Sequence, residues 1–265
     1  MRLRDMGSEA VLLGAGGRAI LLQLGNPAVG HAVAEHSSFA TDPTRRLRHT
    51  LTYVYALLWG TEGQARFVTA MVNRAHAPVV SEGGGATGGP AYTAVDPQLQ
   101  LWVTATLYDS AIVMHERIFG ALGPADAEAI YQDYAEIGVG LQMPRELWPR
   151  DIAAFRQYWD AAIDGLVVDD VTRGVARQLL WPRVGPVWLR AAMPLARWLT
   201  IGLLPSAVRH DFGLAWDDAK ERRFERMMRA AAHIYPLLPN ALRQWPKNHL
   251  LKKLPATAPA SDPAR

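Results

Sequence analysis

Arg45 to Pro78 reads RRLRHTLTYVYALLWGTEGQARFVTAMVNRAHAP, and the spacing of its apolar residues decides the fold class. Leu47, Leu51, Val54 and Leu58 recur at i, i+4, i+7 and i+11, which makes one stripe of an α-helix. Arg46, His49, Thr50 and Tyr53 form a second, polar line roughly 110° around the same axis. Gly60 stops this helix, and Thr61 with Gln64 has the spacing of a capping box, so a second helix starts at once and runs to the residue before Pro78. Phe67, Val68, Met71, Val72 and Ala75 form its expected buried face, with His76 in the last turn at the margin of that face.

If the link at Gly60 and Thr61 folds the helices back antiparallel, counting outward from it sets Arg45 beside His76. Helix axes pack about 8 to 10 Å apart. An imidazole on one helix and His49, Thr50 or Arg46 on the other then border one space, an arrangement that suits haem: iron takes an axial imidazole and guanidinium groups pair with propionates. A His in the last turn of a helix equally reads as a cap favoured by the helix dipole, and on spacing alone both readings stand.

Three runs extend the pattern: Arg46-x-x-His49-Thr50; Val72-Asn-Arg-Ala-His76-Ala-Pro-Val79; and Tyr92-Thr-Ala-Val-Asp96-Pro97 leading into Leu101-Trp102-Val103. Weaker echoes are Asn26-Pro27-Ala28-Val29 with Glu35-His36-Ser37, Gly140-Leu-Gln-Met-Pro144, and Gly202-Leu-Leu-Pro205. In their order and spacing these resemble the MpaB-like oxygenases, which share their catalytic domain with the latex-clearing rubber oxygenases, over about Ser8 to Pro246. The resemblance implies an all-α, single-domain helical bundle with b-type haem between helices, His76 as proximal iron ligand, and Arg46, His49 and Thr50 on the distal side. Arg46 is then an electrostatic support or propionate partner, and Thr50 a hydrogen-bond donor. Rubber oxygenases carry an iron-ligating Lys where this chain aligns His49, many relatives have Gly at the position of Ser81, and many have His at the position of Thr104. The activity implied is oxygen-dependent oxidation of an apolar molecule, isoprenoid or lipid-like, such as cleavage of a carbon–carbon double bond. A non-catalytic haem sensor or carrier is the alternative.

The 265 residues are 49% hydrophobic and 20% charged, the composition of a globular domain. We expect one domain over 1–250 and a disordered tail over 251–265, which is poor in large apolar groups. Twenty-eight basic and 25 acidic residues leave a formal charge of +3, too small and too mixed for nucleic-acid binding. The absence of Cys excludes disulfides, thiolate nucleophiles and a thiolate-ligated haem. Asp5 and Glu9 interrupt the basic N-terminus against an export signal, and no apolar run is long enough to span a bilayer, so a cytoplasmic location is expected. The apolar segment Gly185 to Pro205, with Arg190 and Arg197 seven apart, has three readings: a core helix, the lining of a substrate pocket, or a helix resting on a membrane surface.

Gly14-x-Gly16-x-x-Ala19, with Glu35 further on, matches the dinucleotide fingerprint on its face, which makes a dinucleotide-dependent oxidoreductase a third functional reading; the helical periods that follow favour helix punctuation instead. The Gly-rich run Ser81 to Pro90 is a connection that serves as a flap over the site or as a plain surface loop. Asp96 with Pro97 starts a long helix ending near Gly120, on which Asp109 and His115 read as functional groups or, in preference, as a capped or solvated polar face. Further helix starts fall at Pro124, near Asp151, at Asp169 or Asp170, and near Trp216. No H-E-x-x-H, no Glu-x-x-His pair and no G-x-S-x-G elbow occurs.

Overall fold

The computed structural model describes residues 1–36, 43–84, 88–184 and 186–255, with backbone alone for 43–46. The fold is all-α. In chain order the helices are α1 (Leu3–Gly7), α2 (Gly16–Gly25), α3 (Pro27–His36), α4 (Pro43–Trp59), α5 (Glu62–His76), α6 (Pro97–Phe119) and α7 (Pro124–Val139). They continue as α8 (Ile152–Asp164), α9 (Asp170–Leu180), α10 (Val187–Leu203), α11 (Ser206–Asp211), α12 (Asp218–Ile234), α13 (Asn240–Arg243) and α14 (Trp245–Lys252). Short 3₁₀ segments lie at Ala10–Ala15, Arg145–Leu147 and Tyr235–Leu237. A two-stranded antiparallel ribbon, β1 (Val80–Ser81) with β2 (Tyr92–Thr93), pairs Val80 with Thr93 and Ser81 with Tyr92.

Local chemistry sets the helix ends. Thr61 closes the expected capping box: its N–H donates to Gln64 Oε1 (2.9 Å) and its hydroxyl accepts from Gln64 N–H (3.2 Å). Asp96, Asp151, Asp169 and Asp217 accept from the first-turn amides of α6, α8, α9 and α12. Gly120 ends α6 at φ 86°, a conformation a side chain would resist.

The long helix α6 organises the interior. Its Leu101, Ala105 and Tyr108 join a cluster with α4, α5, α7 and α8; Trp102 joins α2, α3 and α9; Met114 and Ile118 join α10 and α12. Stacked and tilted rings bridge the first two clusters, from Tyr131 and Trp148 through Phe155 to Trp159 and Trp102.

Three expectations need correction. Ala10–Ala15 is a 3₁₀ segment running straight into α2, so Gly14 and Gly16 follow no strand and the dinucleotide reading fails. The glycines of this run serve close packing instead: a Cβ on Gly17 would stand 1.9 Å from Thr200 Oγ1, and one on Gly14 would stand 2.9 Å from Met114. Residues 251–255, expected in the tail, are structured: α14 continues to Lys252, Leu254 packs on the first cluster and Gln64 Nε2 donates to Pro255 O (3.2 Å); residues 256–265 lie outside the described ones. Ala75 is exposed rather than buried, while Val68 fills the centre of the α5 face.

Candidate functional site

Helices α4 and α5 form the expected hairpin, packed along each other on either side of Gly60 and Thr61. Counting outward from the link places His49 one helical turn from the level of His76. A turn of about 5.4 Å along the axis and about 8 to 10 Å between axes put their backbones roughly 10 Å apart. His76 occupies the final turn of α5, half-buried, with Nδ1 screened from solvent. Asn73, one turn earlier on the same face, holds a screened Oδ1 that meets no donor among the described residues. His49 and Thr50 are half-buried in α4. Arg46 lies in α4 by its backbone, and its side chain falls outside the described residues.

The polar line of α4 divides between two environments. Tyr53 is buried and donates to Ile137 O (2.8 Å), so it fastens α4 to α7, and burial holds its hydroxyl well above the usual phenol range. Thr50 turns the other way and joins Leu47, Leu51, Val54, Tyr55 and Leu58 on the wall of a cavity. Leu3 and Met6 of α1, Leu12 and Leu13 of the 3₁₀ segment, α2, and Leu107, Ser110 and Ala111 of α6 complete this space of about 920 Å³, its mouth included. Among the described residues no charged side chain lines it, and its polar residues there are Thr50, Tyr55, Gln23, Ser110 and Tyr134. Burial pushes the Tyr55 hydroxyl up to about 12.

Behind the cavity lies a buried ion pair that the sequence reading missed, having placed Asp109 on a solvated face. Arg18 of α2 sits 2.6 Å from Asp109 Oδ2, donates Nε–H to Leu203 O (2.8 Å) and donates Nη1–H to Ser110 Oγ (2.8 Å). Burial raises the Asp109 carboxyl pKa, and the Arg18 charge and hydrogen bond pull it back. The available signal was Arg18 itself, a lone cation between the apolar runs of the N-terminal region. His115 is likewise buried, against Phe119, and not solvated.

At the far end of the hairpin the β ribbon ties the end of α5 to the start of α6. Gln100 there bridges Ala94 O (3.5 Å) and Gln142 Oε1 (3.2 Å), the latter on a residue at φ 75°. Thr104, where many relatives carry His, donates to Gln100 O (2.8 Å) in its own helix and faces Gly138. Tyr92 donates to Glu35 (2.5 Å), and a Cβ on Gly89 would reach the His31 ring, so the return limb of the Gly-rich connection rests on α3. Residues 85–87 of that connection lie outside the described ones. His31 in turn meets Asp169 (2.6 Å), the cap of α9; burial works to raise that carboxyl, but its bonds from Thr172 and His31 outweigh burial and hold it low. His31 is thus a tertiary clasp.

Residues 3–233, from α1 into the last turn of α12, match the family described as "ER-bound oxygenase mpaB/B'/Rubber oxygenase, catalytic domain". The chain belongs to this family. The MpaB/rubber-oxygenase domain thus takes in the α4–α5 hairpin, the cavity and the Arg18–Asp109 pair. Among similar proteins are an uncharacterized protein of Mycobacterium bovis and one of Mycobacterium tuberculosis. Each is 36% identical over 237 residues, covering 85% of this chain and 89% of the relative. No solved structure matches the chain. Among the described residues no three His, Asp or Glu side chains gather into a cage for a bare metal ion.

Proposed function

We propose that this member of the oxygenase family binds b-type haem through His76 and oxidises an apolar small molecule held in the cavity. The supporting observation is the hairpin: it carries a screened imidazole nitrogen at the end of α5 and, on the neighbouring helix, a half-buried His49 and a Thr50 that opens into the cavity. The donor set fits haem. A chain without Cys offers imidazole as its nitrogen ligand, and the buried Asn73 Oδ1 beside His76 is the kind of polar atom that a bound group or its water satisfies.

When bound, haem supplies the redox chemistry that activates dioxygen. The protein's own part is division of labour across α4. His76 would hold the group, His49 would face it from the neighbouring helix, and Arg46 would serve as electrostatic support or propionate partner. Thr50 stands where haem side and cavity meet and offers a hydroxyl that stabilises developing negative charge. The apolar wall from α1, α2 and α6 orients the substrate and excludes water. The return limb of the Gly-rich connection rests on α3, and a connection that follows so soon on His76 would serve as a flap.

The test is haem content and spectrum of the purified protein. His76→Ala is expected to lose haem while keeping its helical circular dichroism. If His49 is a second iron ligand, His49→Ala passes from a six-coordinate to a five-coordinate spectrum; an unaltered spectrum shows that His49 does not bind iron and gives only a distal hydrogen bond. Full haem content with an unchanged Soret band in His76→Ala would sink the assignment.

The same reading includes work at a lipid surface. No helix among the described residues is long and apolar enough to cross a membrane. The start of α10 nevertheless presents Val187 (80% exposed) and Trp188 (64%) to solvent beside exposed Arg183 and Arg190, which is chemistry suited to headgroups over acyl chains.

A further inference from the structure

We infer that Ser110, polarised by Arg18, is the specificity-determining hydrogen-bond donor of the cavity, and that the molecule bound there is neutral and apolar with a single carbonyl-type oxygen. This rests on the cavity being the substrate's place, and it narrows the substrate class within that reading.

The inference starts from a proton without an acceptor. Ser110 is 2% exposed, lines the cavity, and its Oγ accepts from Arg18 Nη1 at 2.8 Å. Among the described residues that hydroxyl donates to nothing. Its neighbours Thr104 and Thr106 do spend their hydroxyls, on Gln100 O and Val103 O of the same helix. A buried hydroxyl left undonated is costly and therefore uncommon, and this one can rotate toward the open side. Accepting a hydrogen bond from a guanidinium also draws electron density from the oxygen and makes the O–H a stronger donor.

Two further hydroxyls on the cavity wall, Thr50 and Tyr55, donate to no described residue. Gln23 gives its amide N–H to Thr106 Oγ1 (3.0 Å), so the protons on offer are those of the three hydroxyls, and they select a ligand that accepts. A carboxylate also accepts, yet it fits poorly: among the described residues no cation lines the cavity, and the Arg18 charge behind Ser110 is engaged by Asp109. A plain hydrocarbon leaves the Ser110 proton unmet. A ketone, aldehyde or ester carbonyl on an apolar chain satisfies it without bringing charge.

The experiment measures binding of three probes of equal chain length, 2-undecanone, undecane and undecanoate, to the purified full chain by displacement of an apolar fluorescent dye. Wild type is expected to bind the ketone about tenfold tighter than the alkane, the size of one good buried hydrogen bond, and to bind the carboxylate weakest. Ser110→Ala is expected to bring ketone and alkane within about twofold while leaving alkane affinity unchanged. Arg18 retains Asp109 and Leu203 O in that variant, so folding is preserved; Ala111→Phe, which fills the space, is expected to weaken ketone and alkane alike. Equal ketone and alkane affinity in wild type, tightest binding of undecanoate, or a ketone preference that survives Ser110→Ala would each overturn the inference. Haem absorbance of the same samples separates the two readings: a haem-free chain that still prefers the ketone rejects His76 as ligand and keeps Ser110.

Discussion

Gly17 and His115 show how a single position answers to its surroundings rather than to its type. Gly17 lies inside α2, where exchange for Ala would ordinarily gain about 1 kcal/mol of helix propensity. Here the added methyl would stand 1.9 Å from Thr200 Oγ1 of α10, so overpacking decides the sign. Gly17→Ala is expected to lose about 1 to 3 kcal/mol in urea denaturation, and Thr200→Ala in the same chain to recover part of that loss, giving a coupled pair in a double-mutant cycle. His115 is held below its ordinary pKa of 6.5 by burial, against an opposing pull from Glu9. The neutral form is the one that folds. Its contribution is therefore complete above pH 6.5 and is lost as pH falls below it, where the unfolded chain binds the proton first. His115→Leu is expected to flatten the fall in stability between pH 6.5 and 5 by up to about 1.4 kcal/mol per pH unit relative to wild type. Parallel slopes in the two proteins would show that His115 carries none of it.

At the scale of elements, the hairpin works because its link is specified twice. Gly60 ends α4, donating to Ala56 O (2.9 Å), and Thr61 starts α5 with both bonds of its capping box made. The box sits on the surface, so its loss costs little packing. Thr61→Ala is expected to lower global stability by about 1 kcal/mol, and amide exchange should quicken first in the opening turn of α5. Unchanged exchange there would mean that packing against α4 alone holds the turn. The buried Arg18–Asp109 pair acts on the same scale, joining α2 to α6 and, through Leu203 O, to α10. Burying a charge is costly unless it is paired, and the Asp109 carboxylate 2.6 Å away, with Leu203 O and Ser110 Oγ as acceptors, offsets that cost for Arg18.

Over the whole molecule, charge and exposed apolar surface are unevenly spread. From Val171 to His210 the chain carries six arginines and no Asp or Glu, and Arg177, Arg183 and Arg190 are exposed. Trp181 is held under Arg197, whose carbon Cζ stands 5.0 Å from its ring centre. Exposed Trp, Val and Leu in an acid-free basic stretch favour an anionic bilayer, where each basic residue near the surface contributes about 1 kcal/mol. The protein is expected to sediment with vesicles containing anionic phospholipid and to be released by added salt, and Val187→Glu with Trp188→Glu is expected to remain in the supernatant. Equal sedimentation of the double variant would move the contact elsewhere or abolish it.

The sequence by itself determined the elements. Apolar spacing in α4 and α5, the capping residues Thr61, Asp96, Asp151 and Asp169, and the punctuation at Gly60, Gly120 and Pro124 are local signals, because a helix and its ends are settled by neighbours within a few residues. The order and spacing of the runs at Arg46–Thr50, Val72–Val79 and Tyr92–Val103 also pointed to the family, and the hairpin was legible because only one residue pair links its helices. What tertiary structure alone decided is which polar residues meet. Asp109 and His115 share a helix with many polar neighbours, and nothing in their spacing distinguishes a solvated face from a buried ion pair; that depends on α2 arriving with Arg18. Tyr53 and Thr50 lie on one polar line in sequence, yet α7 takes the first as a fastening and α1 and α6 open a cavity against the second. The glycines of the N-terminal run match a nucleotide motif by letter and serve helix packing in fact, because the meaning of a missing side chain is set by whichever element comes close enough to need the space.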